Sequence, residues 1–241
     1  MTQPLHFISS MATRQVLADL AARYESGRSE RIRVESVGGV DAARRVAAGE
    51  AFDGVVLASD AIDKLIASGH VLAGSRVDLV RSAVAVAVPV GAPVPDIGSE
   101  AALRHAVLAA RRIGYSTGPS GTALLQLFQR WGVAADVQPR CLQAPPGVPV
   151  GRLVSEGQVD LGFQQLAELM NLKGITLLGL LPPEVAIVTT FSGGVAATSQ
   201  RPHAVRAALS FMSAPGVHDI KRANGLQGMQ DSPGVPGMEN A

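Results

Sequence analysis

The sequence predicts an α/β chain of two lobes, built on mixed or parallel sheets and joined by two crossings of the chain. Three observations carry that reading. A strand, a loop of small residues and a helix alternate three times before residue 70. Similar loops recur after residue 110. Two apolar extended runs, residues 82–90 and 185–190, stand where the chain can cross from one lobe to the other and back. The expected lobes are residues 1–84 with 190–241, and residues 85–189.

Residues 5–9 form the first strand, which ends in Ser9-Ser10-Met11-Ala12-Thr13. The helix after it carries Val16, Leu17, Leu20 and Tyr24 at helical spacing. Residues 32–36 are the second strand, followed by Gly38-Gly39; Asp41 is expected to cap a helix through Ala42, Val46 and Ala47 that stops at Gly49. Residues 54–58 are a buried third strand, followed by Ser59-Asp60 and a helix carrying Ile62, Leu65 and Ile66. Such alternation calls for parallel strands with right-handed crossovers. Ligands of open sheets of this kind sit beyond the carboxyl ends of the strands.

After the first crossing, Gly91-Ala92-Pro93-Val94-Pro95 is turn-rich and residues 101–110 read as a helix. The stretch from Arg112 to Phe128 is a strand end, a small-residue loop and a helix. Ser120 or Thr122 is expected to cap that helix, which Ala123, Leu124, Leu127 and Phe128 continue with an apolar face. Gly118 and Gly121 let backbone N–H groups approach a ligand with no Cβ in the way. A helix start flanked by hydroxyls can hold an anion, although the same residues also serve a plain loop between strand and helix.

Residues 133–142 read as a short strand region, and Ala144-Pro145-Pro146-Gly147-Val148 as a loop before a helix through Val150, Leu153 and Val154. Residues 159–163 are a strand that Gln164-Gln165 ends, before a helix with Leu166, Leu169 and Met170. Residues 175–180 are another strand, and Leu181-Pro182-Pro183-Glu184 a turn. Ser192-Gly193-Gly194 reads as a turn, residues 202–212 as a helix, and residues 217–224 as a short one stopped by Gly225. The tail, residues 230–241, is rich in Gly and Pro and is expected to be frayed.

Composition narrows the function classes. The 241 residues are 47% hydrophobic and 17% charged with net charge +1, which lacks the basic excess of a nucleic-acid binder. His6, His70, His105, His203 and His218 show no metal-ligand spacing, so no metal is expected, and the single Cys141 excludes an internal disulfide. Neither a phosphate-binding nor a dinucleotide-binding glycine motif is present, nor a nucleophile elbow, so no cofactor is expected. Arg44-Arg45 and Arg111-Arg112 read as solvated helix-face charge. No apolar run reaches the roughly 18 residues of a membrane span, so no membrane insertion is expected. Residues 1–7 show neither a basic region nor a long apolar run, so they are not expected to be a secretory signal. As written, the chain is expected to be cytoplasmic, or periplasmic if a signal has been removed.

The residues collected at the expected strand ends are Ser9, Ser10, Thr13, Arg14, Gly38, Gly39, Ser59, Ser116, Ser120, Gly121, Thr122, Gly147, Gln164 and Gln165. Hydroxyls, amides and bare backbone, with Arg14 as the one cation, suit a small oxyanion or carboxylate held by hydrogen bonds in a shared cleft.

Several segments resemble the periplasmic molybdate-binding proteins and their relatives. They are Phe7-Ile8-Ser9-Ser10 with Asp19-Leu20-Ala21, the run from Ala43 to Asp53, residues 84–89, Leu153-Val154-Ser155-Glu156-Gly157 with Asp160-Leu161-Gly162, and the closing helices. The resemblance implies a type II periplasmic-binding-protein (Venus flytrap) fold closing on a small anion, and an ABC permease as partner if the chain is exported. The family's first oxyanion-holding Ser falls on Ala12, its second near Gly38-Gly39 and its second-lobe Tyr near Gln165. That set suits an organic di- or tricarboxylate better than molybdate. The chain is also similar to a signal-less subgroup of these proteins, which resembles aconitate isomerase as well. The resemblance therefore implies an anion binder or, alternatively, an isomerase that moves the double bond of an unsaturated polycarboxylate. Such an isomerase needs a proton-carrying base, for which Asp60 and Glu168 are the candidates.

Overall fold

In the computed structural model, which describes residues 3–230, the chain opens on β1 (Leu5–Ser10), buried throughout except for His6. α1 (Arg14–Glu25) lays Val16, Leu17, Leu20, Ala21 and Tyr24 inward at helical spacing. β2 (Ile32–Val37), α2 (Gly39–Ala47), β3 (Gly54–Ala58) and α3 (Ser59–Ala67) follow. β1 lies between β2 and β3 and is parallel to both, with Leu5 opposite Ile32, Ser10 opposite Val37 and Phe7 opposite Gly54. β4 (Val77–Pro89) is the long strand on which the chain leaves this first group.

The described chain divides into two units: residues up to Ser82 together with those from Thr190, and Ala83–Thr189. The second unit contains the end of β4, then α4 (Glu100–Ala109), β5 (Ile113–Tyr115), α5 (Pro119–Arg130), α6 (Ala134–Val137) and β6 (Cys141–Gln143). α7 (Val150–Ser155), β7 (Leu161–Gln165), α8 (Leu166–Leu169) and β8 (Ile175–Leu180) complete it. Its strands run in the order β8-β4-β7-β5-β6, with β7, β5 and β6 mutually parallel and β4 antiparallel to β7 and β8. One face packs Ile113, Leu124, Leu127, Phe128 and Phe163; Val150, Leu153, Val154 and Val159 form a separate cluster.

β9 (Val188–Val195) carries the chain back and pairs antiparallel with β3, Ala58 opposite Phe191. α9 (Pro202–Ser213), α10 (His218–Ala223) and β10 (Gln227–Gly228) close the first unit, β10 pairing antiparallel with β4. Its strand order is β2-β1-β3-β9-β4 with β10 on β4, a mixed sheet. Among the described residues no helix is long and apolar enough to cross a membrane. The expected frayed tail, from residue 231 onward, lies outside the described residues.

Several local expectations are corrected. α2 starts at Gly39 with Gly38 as its N-cap, and Asp41 sits in the first turn, paired with Arg44. Its charge still suits the positive end of the helix. α5 is capped by Gly118 and begins at Pro119, so neither Ser120 nor Thr122 is the cap. Proline costs nothing at that first position, where the missing N–H has no helical partner anyway. Residues 133–142 are mostly helical because Val133 and Val137, four apart, both enter the core; only Cys141–Gln143 is strand. Arg45 is not a solvated helix charge: it bridges Glu35 and Glu50 and stacks over the Phe52 ring at 5.3 Å. Arg111 follows α4 and grips Asp160 at 3.0 Å.

Ser192-Gly193-Gly194 is the middle of β9, not a turn. Both glycines are there for packing. A Cβ on Gly193 overlaps a methyl of Leu209, and one on Gly194 stands 2.6 Å from Val71 Cγ1. Gly193→Ala is expected to lower stability by roughly 1–3 kcal/mol through overpacking. Urea denaturation reads this, and an unchanged midpoint means Leu209 has room to move.

Candidate functional site

In the first unit β1, β2 and β3 end on the same edge of the sheet, where α1, α2 and α3 begin. Ser9 and Ser36, opposite each other in the ladder, share a hydrogen bond of 2.7 Å between their hydroxyls. The Thr13 hydroxyl donates to the Ser10 carbonyl at 3.1 Å and lies 3.4 Å from Ser10 Oγ. A Cβ built on Gly39 stands 3.6 Å from that of Ser10, so the glycine start of α2 rests against the serine. Ser9, Ser10, Thr13, Gly38 and Gly39 therefore form one cluster of buried hydroxyls and open backbone. Ser59 starts α3 at the same edge and is half-buried. Arg14 and Asp60 are exposed on the first turns of their helices, and Asp60 Oδ2 lies 3.8 Å from Lys64 Nζ one turn on. That is a solvated helix pair.

In the second unit the parallel strands β5, β6 and β7 likewise end on one edge. Ser116 follows β5, Gly147 lies in the loop after β6, and Gln164-Gln165 are the last residues of β7. Ser116 and Ser120 share a 3.0 Å hydrogen bond between hydroxyls, and Ser120 is only 6% exposed. This pair depends on Gly121, because a Cβ there would overlap the Ser116 carbonyl oxygen. The Gly121 and Thr122 N–H groups turn back to the Gly118 carbonyl at 3.0 and 3.2 Å, and the Thr122 side chain is exposed. Gly147 is exposed with φ +78, a turn that side chains rarely adopt.

The two glutamines point to opposite sides of β7. Gln165 is 4% exposed; its amide nitrogen donates to Thr189 Oγ1 at 2.8 Å, and its amide oxygen is buried with no partner among the described residues. Gln164, 3% exposed, accepts from the Gly151 N–H at 3.2 Å and donates to Glu168 Oε1 at 2.8 Å. Burial pushes the Glu168 carboxyl up to about 7, against the Gln164 amide, which favours the ionised form. Gly151 and Thr189 went unread in the sequence. Each joins the edge through tertiary contact with a glutamine, and no local pattern marks it.

The family model for bacterial extracellular solute-binding proteins matches residues 5–227. The chain is 34% identical, over 96% of its own length and 89% of the relative's, to an aconitate isomerase of Pseudomonas sp. Among solved structures it is similar to the periplasmic molybdate-binding protein of Azotobacter vinelandii, with TM-score 0.75 and 19% identity over 92% of this chain and 98% of that one. It is also similar to the sulfate-binding protein SubI of Mycobacterium tuberculosis, with TM-score 0.77 and 15% identity over 95% and 88%. L-phospholactate-bound PEB3 matches with TM-score 0.73 and 14% identity over 92% and 99%. The fold is thus that of the type II periplasmic binding proteins. From β1 to β10, the chain belongs to the bacterial extracellular solute-binding proteins.

Proposed function

We propose that this member of the family binds an unsaturated di- or tricarboxylate and moves its carbon–carbon double bond, with Glu168 carrying the proton. The observation behind this reading is the Glu168 carboxyl, held by the Gln164 amide at 2.8 Å and pushed up to about 7 by burial. A general base is most effective when its pKa lies near the working pH. Asp60, by contrast, is exposed on its helix and lies beside Lys64. The substrate class comes from the aconitate isomerase that matches along nearly the whole chain.

The chemistry conserves all atoms. The Glu168 carboxylate takes a proton from the methylene next to a substrate carboxylate. The electron pair left behind spreads over the allyl unit and that carboxylate. The protonated Glu168 returns the proton at the far allylic carbon, and the double bond has moved by one position. The Ser116–Ser120 hydroxyls and the amide of Gln165, in the same unit as Glu168, supply neutral donors for the substrate's carboxylates and for the developing negative charge. Proton NMR with trans-aconitate in deuterated buffer tests the reading. Formation of the cis isomer with deuterium incorporated is expected; absence of both overturns it.

Family membership favours a second reading, in which the chain only holds the solute for delivery, with an ABC permease as the partner. Thermal-shift titration with tricarboxylates, molybdate and sulfate separates the two when read beside the NMR assay. Stabilisation by a polycarboxylate without isomerisation supports delivery.

A further inference from the structure

We propose that Gln164 is a positioning residue, fixed by the Gly151 backbone so that its amide holds one oxygen of Glu168; the inference rests on the role given to Glu168 above. An amide at an anion site can serve as a direct ligand contact, but here both of its ends are already committed inside the protein. The oxygen accepts from the Gly151 N–H at 3.2 Å, and the nitrogen donates to Glu168 Oε1 at 2.8 Å.

The orientation follows from the partners. Turning the amide over would set its NH2 against the Gly151 N–H, donor against donor, and its oxygen against a carboxyl oxygen. A backbone N–H cannot change role, so Gly151 sets the amide one way. Gly151 packs closely there, since a Cβ on it would overlap the Leu172 side chain. The side of β7 that carries Gln164 packs on the same helix, where a Cβ on Gly162 would overlap Val154. Gln165 provides the contrast. Its partner is the Thr189 hydroxyl, which can donate or accept, so that amide can turn to suit a ligand.

The consequence for Glu168 is specific. Oε1 is tied to the amide, which leaves Oε2 as the oxygen that exchanges the proton. Among the described residues no charged side chain contributes to the titration of Glu168; burial and the Gln164 amide set it between them. Among the described residues, the Gln164 amide is what favours the ionised, proton-accepting form.

The test uses the full chain with glutamate labelled at the side-chain carboxyl carbon. Carbon-13 NMR follows the titration of Glu168, assigned as the resonance missing from Glu168→Gln. In Gln164→Leu the midpoint is expected to rise by roughly one pH unit, the worth of a charge-assisted hydrogen bond. Gln164→Asn, which retracts the amide by one methylene but keeps a polar group in place, is expected to move the midpoint the same way and is read if the leucine variant does not fold. In the isomerase assay the alkaline-rising limb of kcat should move with the NMR midpoint while KM for trans-aconitate changes little. An unmoved NMR midpoint overturns the proposal, as does a raised KM with an unmoved midpoint, which makes Gln164 a ligand contact. If the wild-type chain shows no isomerisation, the functional reading falls, and the NMR midpoint still decides the role of Gln164.

Discussion

Glu168→Gln is expected to cut isomerisation by two to four orders of magnitude, the usual contribution of a positioned general base, and at the same time to make the chain more stable above neutral pH. The two effects share one cause. The folded chain holds the Glu168 carboxyl at about 7 against an ordinary value of 4.5, so folding favours the protonated acid. Below pH 4.5 the acid is protonated in both states and folding costs nothing extra. Between 4.5 and 7 the unfolded chain ionises first, and wild-type stability falls relative to a chain with a neutral amide at this position. The difference levels off above 7 at about 3 kcal/mol at most, the free-energy equivalent of the shift from 4.5 to about 7. Urea denaturation of wild type and variant at pH 5 and pH 8 reads this directly. The gap should be under about 1 kcal/mol at the lower pH and widen at the higher. A gap that does not change with pH means that Glu168 is not a shielded acid, and the case for it as the base is lost. Stability given up to keep a reactive group buried is the usual cost of an active site.

The order of the elements was legible in the sequence because each signal was local. Small residues close β1, β2 and β3, and Val16, Leu17, Leu20 and Tyr24 mark a helix by spacing alone. The polar residues at the strand ends were legible for the same reason, since Ser9-Ser10, Gly38-Gly39 and Ser116 each follow directly on a segment that reads as a strand. What failed was set from a distance. Gly193-Gly194 carries the local signature of a turn, yet Leu209 and Val71 dictate glycine there. Val133 and Val137 suggest strand by composition, but the core they share with Phe128 takes both from one side of a helix. Glu168 stood out in the sequence no more than Asp60. The difference between them is a shielded setting and the Gln164 amide, itself fixed by Gly151 thirteen residues earlier. Candidate residue types can be read along a chain; the environment that separates a base from a surface acid cannot.

Gly121→Ala is expected to be the most damaging single-methyl change at the edge of the second unit. The added Cβ would overlap the Ser116 carbonyl oxygen and come within 3.1 Å of the Tyr115 ring. The main obstacle is backbone, which cannot rotate away as a side chain can. The loop from Tyr115 to Gly118 has to move off the start of α5, and the 3.0 Å Ser116–Ser120 bond lies across that gap. Overpacking of this kind typically costs 1–3 kcal/mol, and a backbone obstacle places it at about the upper end. Gly118→Ala is the control. Nothing lies within 4 Å of its Cβ, and its φ of −85 suits any residue, so the N-cap loses little. That change should stay within about 1 kcal/mol. The measurement is the melting temperature of both variants with and without trans-aconitate. Gly121→Ala should melt lower and lose the ligand-induced rise, while Gly118→Ala keeps it. If Gly121→Ala melts like wild type and keeps its response to ligand, the hydroxyl pair beside α5 has no part in holding the solute.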